Sequence, residues 1–231
     1  EIEAMNVPSN WEEFHIKTAS IDKLDKKDLG GFDLQAAIKD DPEHLFVKVF
    51  AIKANEINDN GDFFSTEELK TGTESFVGVP VFCNHQNDDI ERARGMVVHS
   101  WYDDDKDGIF IISKVDKIAY PQLARGIKEG YINGTSMGCS VDYCVCSICH
   151  NKAANGDERC SHVKERKNKK VSGNQPCKYH DSPAHPTDDC PVCGKKANEE
   201  KVRKVSDLQV YEHNFGIKFI EDSFVVNPAC H

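Results

Sequence analysis

The sequence predicts an α+β fold: a mainly antiparallel, barrel-like β core with flanking helices, interrupted by a cysteine-rich, metal-binding insertion. Three observations carry this. Short β-branched and aromatic runs recur between turn signals along the 231 residues. Helical patterning is confined to a few short segments. Eight of the ten cysteines fall between Cys139 and Cys193, and residues 144–204 have almost no apolar periodicity.

Residues 1–44 are charged, with Trp11, Phe14 and Ile16 among few groups to bury, and read as a peripheral arm. LFVKVFAIK, from Leu45, is a strand, and NDNGD after it is turn chemistry. Ser65 and Thr66 ahead of Glu67 and Glu68 cap a helix through Leu69, and Gly78–Phe82 returns to extended chain. Residues 95–102 and 109–115, joined by the acidic turn 103–108, form a hairpin. Pro121 opens a helix over about 120–129 with Leu123, Ala124 and Ile127 on one face, and Gly130 ends it. Residues 132–141 then form a strand, and 208–212 and 217–226 supply the last two. The expected division is an arm over 1–44, a β core over 45–143 and 205–231, and an insertion over 144–204.

Charge divides along similar lines. The chain carries −10, but Lys152–Lys204 carries +5, leaving −15 on the remainder. An acidic body argues against nonspecific nucleic-acid binding, whereas the basic stretch could touch phosphates or an acidic protein partner, or simply form a solvated surface. No apolar run approaches the ~20 residues that cross a bilayer, and no charged-then-apolar leader opens the sequence, so a soluble protein is expected.

Cys146-x2-Cys149 followed by Cys160-x-His162 offers four soft or borderline ligands, as tetrahedral Zn2+ requires. Cys177-x2-His180 with Cys190-Pro-Val-Cys193-Gly194 repeats the logic, the latter shaped like a zinc knuckle whose glycine lets backbone amides face the sulfurs. Two structural zinc ions are expected, closed by four ligands each and without an open position for catalysis. Cys144, His150 and His185 are spare candidates, while Cys83, Cys139 and Cys230 read as small buried hydrophobes.

Ser136, in YINGTSMGCSV, is a turn or strand-start serine unless a base can take its proton and a third group can orient that base. His85, in VPVFCNHQ, sits at a strand end where a side chain can emerge beside a neighbouring strand's serine, and His99 competes with it.

The pieces stand in a telling order. FAIKANEINDNGDFFSTEEL is followed by GVPVFCNHQ, ARGMVV, GTSMG and finally FIEDSFVVNPA. Over residues 45–141 and 208–229 this resembles the prohead maturation proteases of tailed bacteriophages, whose fold is similar to herpesvirus assemblin. The resemblance implies a serine endopeptidase with His85 as base, Ser136 in its Ser-x-Gly segment as nucleophile, and a late strand carrying Glu221-Asp222-Ser223 with Pro228-Ala229. It also implies backbone amides that stabilise the oxyanion, and substrates that are scaffold and capsid proteins, together with the protease itself, inside the immature head in the infected host cytoplasm. Self-association is left open. The cysteine-rich insertion departs from the simplest family pattern and leaves the third catalytic member open: Glu221 is preferred, with Asp222 and His213 behind it. On an alternating strand Glu221 and Ser223 share the face opposite Asp222.

Two readings of other classes stand beside this one. A zinc-stabilised interaction module would use GTSMG only as a tight strand entry. A zinc-containing nuclease of the His-Asn type is suggested by Cys149-His150-Asn151.

Overall fold

The computed structural model describes residues 26–179, 190–195 and 202–225. It is mixed α/β with strand outweighing helix, and its main sheet curls into a half-barrel. In chain order the helices are α1 (Leu34–Asp40), α2 (Thr66–Gly72), α3 (Pro121–Glu129) and α4 (Ser161–Arg166). The strands are β1 (His44–Lys53), β2 (Asp62–Phe63), β3 (Pro80–Cys83), β4 (Gly95–Asp103), β5 (Gly108–Asp116), β6 (Gly134–Ser140), β7 (Tyr143–Cys146), β8 (Lys152–Ala153), β9 (Lys170–Pro176), β10 (Val202–Gln209), β11 (Glu212–Phe215) and β12 (Lys218–Val225). The chain falls into two compact units, one of Glu1–Lys53, Leu69–Ser140 and Lys218–His231, the other of Ala54–Glu68 and Val141–Ile217. Among the described residues no helix is long and apolar enough to cross a membrane.

The first unit is a six-stranded sheet in the order β1-β5-β4-β3-β12-β6. All its pairs are antiparallel except β12 with β3. Irregularities between Phe50 and Ile52, Val97 and His99, and Phe219 and Glu221 bend three of the strands. Such bulges add local twist, and the edge strands β1 and β6 approach one another. Val47, Val81, Val97, Ile109, Ile111 and Val115 are buried in this unit, and Phe76 stacks on Phe219 with centroids 3.7 Å apart. Each such burial is worth roughly 1.5–3 kcal/mol before packing effects. At Gly95 a Cβ would lie 1.8 Å from the Lys114 carbonyl oxygen, so only glycine lets β4 start this close to β5.

Two expectations change here. Within the stretch read as a peripheral arm, residues 26–44 contribute to the core: Leu29 and Leu34 are buried with Phe46 and Ile112, against which Trp101 also packs. Trp11, Phe14 and Ile16 lie outside the described residues. Of the two late strands expected to close the core, only β12 joins the six-stranded sheet. The chain around 208–212 contributes instead to β10 and β11 of the second unit, because β11 pairs in parallel with β2 and antiparallel with β7.

The second unit is therefore wider than 144–204. It contains a four-stranded sheet in the order β2-β11-β7-β8 and a separate two-stranded antiparallel sheet of β9 and β10. Its apolar cluster is small: Ile148, Val163, Val171, Val205 and Val210, with Cys146, Cys149 and Cys160 among them. Within the four-stranded sheet Glu212 opens β11 and is fully buried. It receives Lys167 Nζ at 2.6 Å on Oε2, and Arg159 Nε at 2.7 Å and the Cys144 thiol at 2.8 Å on Oε1. Burial alone would raise the Glu212 pKa, but hydrogen bonds from Cys144 and Lys167 and the two cations hold it below the usual value. Burial and the same carboxylate push the Cys144 thiol up to about 12, so it serves as a neutral donor.

Asp222 is the first unit's counterpart. It is buried, its Oδ2 accepts from Ser113 Oγ at 3.4 Å, and its Oδ1 has no partner among the described residues. Burial raises its pKa from 3.8 to about 7. A raised folded-state value means that the folded chain holds the proton more tightly. The stability it contributes is therefore complete at acid pH and is lost as pH rises toward about 7, by up to about 4 kcal/mol if the full shift acts. Asp222→Asn should flatten this dependence. The check is urea midpoints at pH 5 and pH 8, expected to differ clearly in the wild type and much less in the variant.

Candidate functional site

β3 ends at Cys83, and the next residues turn sharply: Asn84 and His85 both adopt left-handed backbone, with φ of 52° and 54°. Such conformations cost non-glycine residues energy and persist where surrounding structure enforces them. Here the Asn84 amide donates to the Phe224 carbonyl at 2.8 Å and the Asn87 amide to the His85 carbonyl at 2.9 Å. The turn aims the His85 ring at β12, where its Nδ1 lies 2.7 Å from Oε1 of Glu221. The Glu221 side chain is 4% exposed and that of His85 is 43% exposed. A carboxylate oxygen facing Nδ1 favours the tautomer with the proton on Nδ1, and in that neutral ring Nε2 is left as the acceptor. That nitrogen makes no hydrogen bond among the described residues.

Glu221 is seated by its neighbours. In the β6–β12 register Gly138 stands opposite Glu221 and Ser136 opposite Ser223. A Cβ on Gly138 would come within 2.6 Å of Glu221 Cγ and 2.9 Å of Oε1, so the carboxylate occupies the place of a side chain at 138. Ser223 Oγ lies 3.5 Å from Oε2. Ser136 is two residues from Gly138 on the same strand and therefore on the same sheet face as Glu221 and Ser223. The structure thus brings His85 and Glu221 into contact and sets half-buried Ser136 on their face; no hydrogen bond joins Ser136 to His85 among the described residues.

The competing residues are elsewhere. Asp222 faces Ser113 in the interior. His99 lies with Nε2 3.0 Å from the Gly30 carbonyl, sandwiched between Phe32 and Trp101. His213 belongs to β11 of the second unit, edge-on to Phe63.

The second unit gathers sulfur. Cys146 ends β7, Cys149 lies in the turn after it, Cys160 caps α4 and His162 occupies that helix's first turn. Their ligand atoms all lie within 4.8 Å of one another, all four residues are buried, and the group could hold a metal ion. Cys160 Sγ and His162 Nδ1 are 3.8 Å apart, against ~3.6 Å for a sulfur and a nitrogen on one tetrahedral ion. Hydrogen bonds from Cys146 and Cys149 lower the pKa of Cys160, while the pKa of Cys149 is raised by its contacts with Cys146 and Cys160. Three crowded sulfurs sharing a negative charge suit a cation.

Cys177, Cys190 and Cys193 form a second group able to hold a metal. The Cys177 and Cys190 sulfurs are 3.9 Å apart, near the ~3.8 Å separation of two sulfurs on one tetrahedral ion. Amides of Val192 and Cys193 face Cys190 Sγ at 3.4 and 3.5 Å, and Gly194 turns with φ of 67°. Burial pushes Cys177 up to about 12. His180 and His185 lie outside the described residues, as does Cys230.

Of the spare ligands, Cys144 is bonded to Glu212 and His150 Nε2 receives Arg203 Nη1 at 3.2 Å. Burial and the charge of Arg203 lower the His150 pKa and keep the ring neutral. Asn151, of the Cys-His-Asn run, spends its amide on the Glu158 carbonyl at 2.9 Å. Sequence reasoning missed Arg203, Gln175, whose Oε1 lies 2.8 Å from His162 Nε2, and the seat that Gly138 makes for Glu221; only the glycine of Ser-x-Gly carried a visible signal.

Gly138→Ala should leave the sheet intact but turn the Glu221 carboxylate away from His85. The check is the downfield Nδ1 proton of His85 in the NMR spectrum, expected in the wild type and absent or shifted upfield in the variant. An unchanged resonance would show that the carboxylate does not need the space.

Neither a family model, nor a curated protein, nor a solved structure matches this chain.

Proposed function

We propose that the first unit is a serine endopeptidase. One observation carries the reading: a buried carboxylate, Glu221, is bonded to Nδ1 of a half-exposed histidine whose other nitrogen is free to accept, on the sheet face that bears Ser136. In this mechanism Nε2 of His85 takes the Ser136 proton as Oγ attacks a peptide carbonyl, and then passes it to the departing amine. A water attacks the acyl-enzyme with the same base, restoring Ser136. Glu221 fixes the tautomer and stabilises the imidazolium. Backbone amides would hold the oxyanion. A hydrogen bond between nucleophile and base is commonly long or absent in unliganded enzymes and tightens with substrate.

The resemblance to prohead proteases supplies the substrate class. The reading extends to scaffold and capsid proteins of a tailed phage, cleaved inside the immature head along with the protease itself. An assemblin-like core is the fold this implies.

In the second unit the metal that the sulfur groups could hold is read as zinc, since thiolates with one imidazole in a closed tetrahedral set would suit that ion. Cys146, Cys149, Cys160 and His162 would hold one ion. Cys177, Cys190 and Cys193, with His180 as the fourth ligand expected from sequence, would hold another. The ions' contribution is folding, and the unit is read as a docking or assembly element.

A fluorophosphonate probe should label the wild type at Ser136. Ser136→Ala should abolish labelling, and Ser136→Ala and His85→Ala should each lower turnover of a capsid or scaffold substrate on the order of thousands-fold or more. The double variant should lose little beyond either single change, because the two act as a unit. Near wild-type cleavage by Ser136→Ala would sink the assignment and leave a zinc-held interaction module, which the preformed sulfur clusters favour as the second reading.

Elemental analysis of reduced, purified protein should find between one and two zinc ions per chain; less than one contradicts the zinc reading. Since apparent zinc binding in small sites amounts to about 10–16 kcal/mol, Cys146→Ser should unfold much of the second unit, measured as lost amide protection in 141–217.

A further inference from the structure

The two-stranded sheet of β9 and β10 reaches both arms of the first sulfur cluster through one cross-strand pair. Gln175 on β9 stands directly opposite Arg203 on β10. Gln175 Oε1 lies 2.8 Å from Nε2 of His162. Arg203 Nη1 lies 3.3 Å from the Ser147 carbonyl oxygen and 3.4 Å from that of Ile148, the two residues between Cys146 and Cys149, and 3.2 Å from His150 Nε2. Thus one side chain of the pair holds the histidine arm and the other holds the backbone of the cysteine turn. Gln175 is itself anchored, since its Nε2 donates to the Ser172 carbonyl at 2.9 Å, which leaves Oε1 to face the ring.

We infer that the Gln175–Arg203 pair is the outer shell of the first metal centre, with Gln175 a positioning residue that makes His162 bind the metal through Nδ1. An imidazole can ligate through either nitrogen, and the hydrogen bond made by the other decides which. An amide oxygen only accepts, so Nε2 of His162 must carry the proton. Nδ1 is then left with its lone pair, and it is the ring nitrogen 3.8 Å from Cys160 Sγ. Arg203 does the equivalent for the cysteines: by bonding the carbonyls of Ser147 and Ile148 it holds the turn in the shape that points both sulfurs inward. This inference rests on the reading that Cys146, Cys149, Cys160 and His162 hold a metal.

The test uses the full chain, 15N-labelled at histidine and loaded with zinc. A long-range 1H–15N spectrum, with His162 assigned by the loss of its peaks in His162→Asn, is expected to show a metal-bound Nδ1 and a protonated, slowly exchanging Nε2. Competition against a chromophoric chelator should show Gln175→Leu weakening zinc by about 10–100-fold at this centre, with Gln175→Glu, which keeps an acceptor, restoring most of the loss. A purely packing role for Gln175 would instead be met by leucine at least as well as by glutamate. Zinc bound through Nε2, or equal affinity in the leucine variant, overturns the assignment while leaving the metal reading intact. A chain whose first cluster takes up no zinc overturns both. The spectrum of the wild type decides the ligating nitrogen even if the leucine variant does not fold.

Discussion

A carboxylate buried in a sheet face is the constraint on which the first unit's local geometry depends. Removing an ion from water costs several kcal/mol unless donors meet it, so Glu221 has to be answered by polar partners. The His85 ring answers one oxygen, and Ser223 lies near the other. To deliver the ring, the chain after β3 accepts two successive left-handed residues, and to make room for the carboxylate, β6 gives up a side chain at Gly138. The irregularity in β12 falls between Phe219 and Glu221, just where the strand must present the acid on one face and Asp222 on the other. Three local departures from regular sheet thus have a common cause.

The second unit meets the same difficulty with different chemistry. Glu212 is answered by a lysine, an arginine and a thiol. The unit's apolar residues are few, and its cluster counts Cys146, Cys149 and Cys160 among its members, so the hydrophobic core shares three residues with the group that could hold a metal ion. A unit of this kind has little burial to set against chain entropy and depends on a staple. That is why most of its strands escaped the sequence: β7 and β8 have four and two residues, β9 and β10 leave most of their side chains exposed or half-buried, and the alternation that marks a strand arises when one face packs on a large core.

How much was legible followed from where the signal was local. The β4–β5 hairpin, α3 with Pro121 and Gly130, and the metal-ligand spacing were all readable because turn chemistry, helix ends and ligand pairs are written in adjacent residues. The pairing of β11 with β2 was not, since it joins residues far apart in sequence through strands of four and two residues. The choice of Glu221 over Asp222 was half legible: alternation said that only one could face the histidine, and the parallel register of β12 on β3 decided which. The outer shell was invisible, because a glutamine in NQP and an arginine in VRK carry no mark of the ring and carbonyls they hold.

The place where the second unit interrupts the first has a kinetic meaning. β6 and β12 are neighbours in the sheet, with Ser140 opposite Lys218, yet the whole of Val141–Ile217 separates them along the chain. Before the second unit forms, bringing these strands together means closing a very long loop, and such nonlocal pairings are slow to be rewarded. Once Tyr143 has paired with Phe215, the ends of that loop are already side by side, and the strand carrying Glu221 can zip onto the strand carrying Ser136 as if across a hairpin. The order of folding is thereby biased: the second unit closes early, and the pairing that sets Glu221 and Ser136 on one sheet face follows.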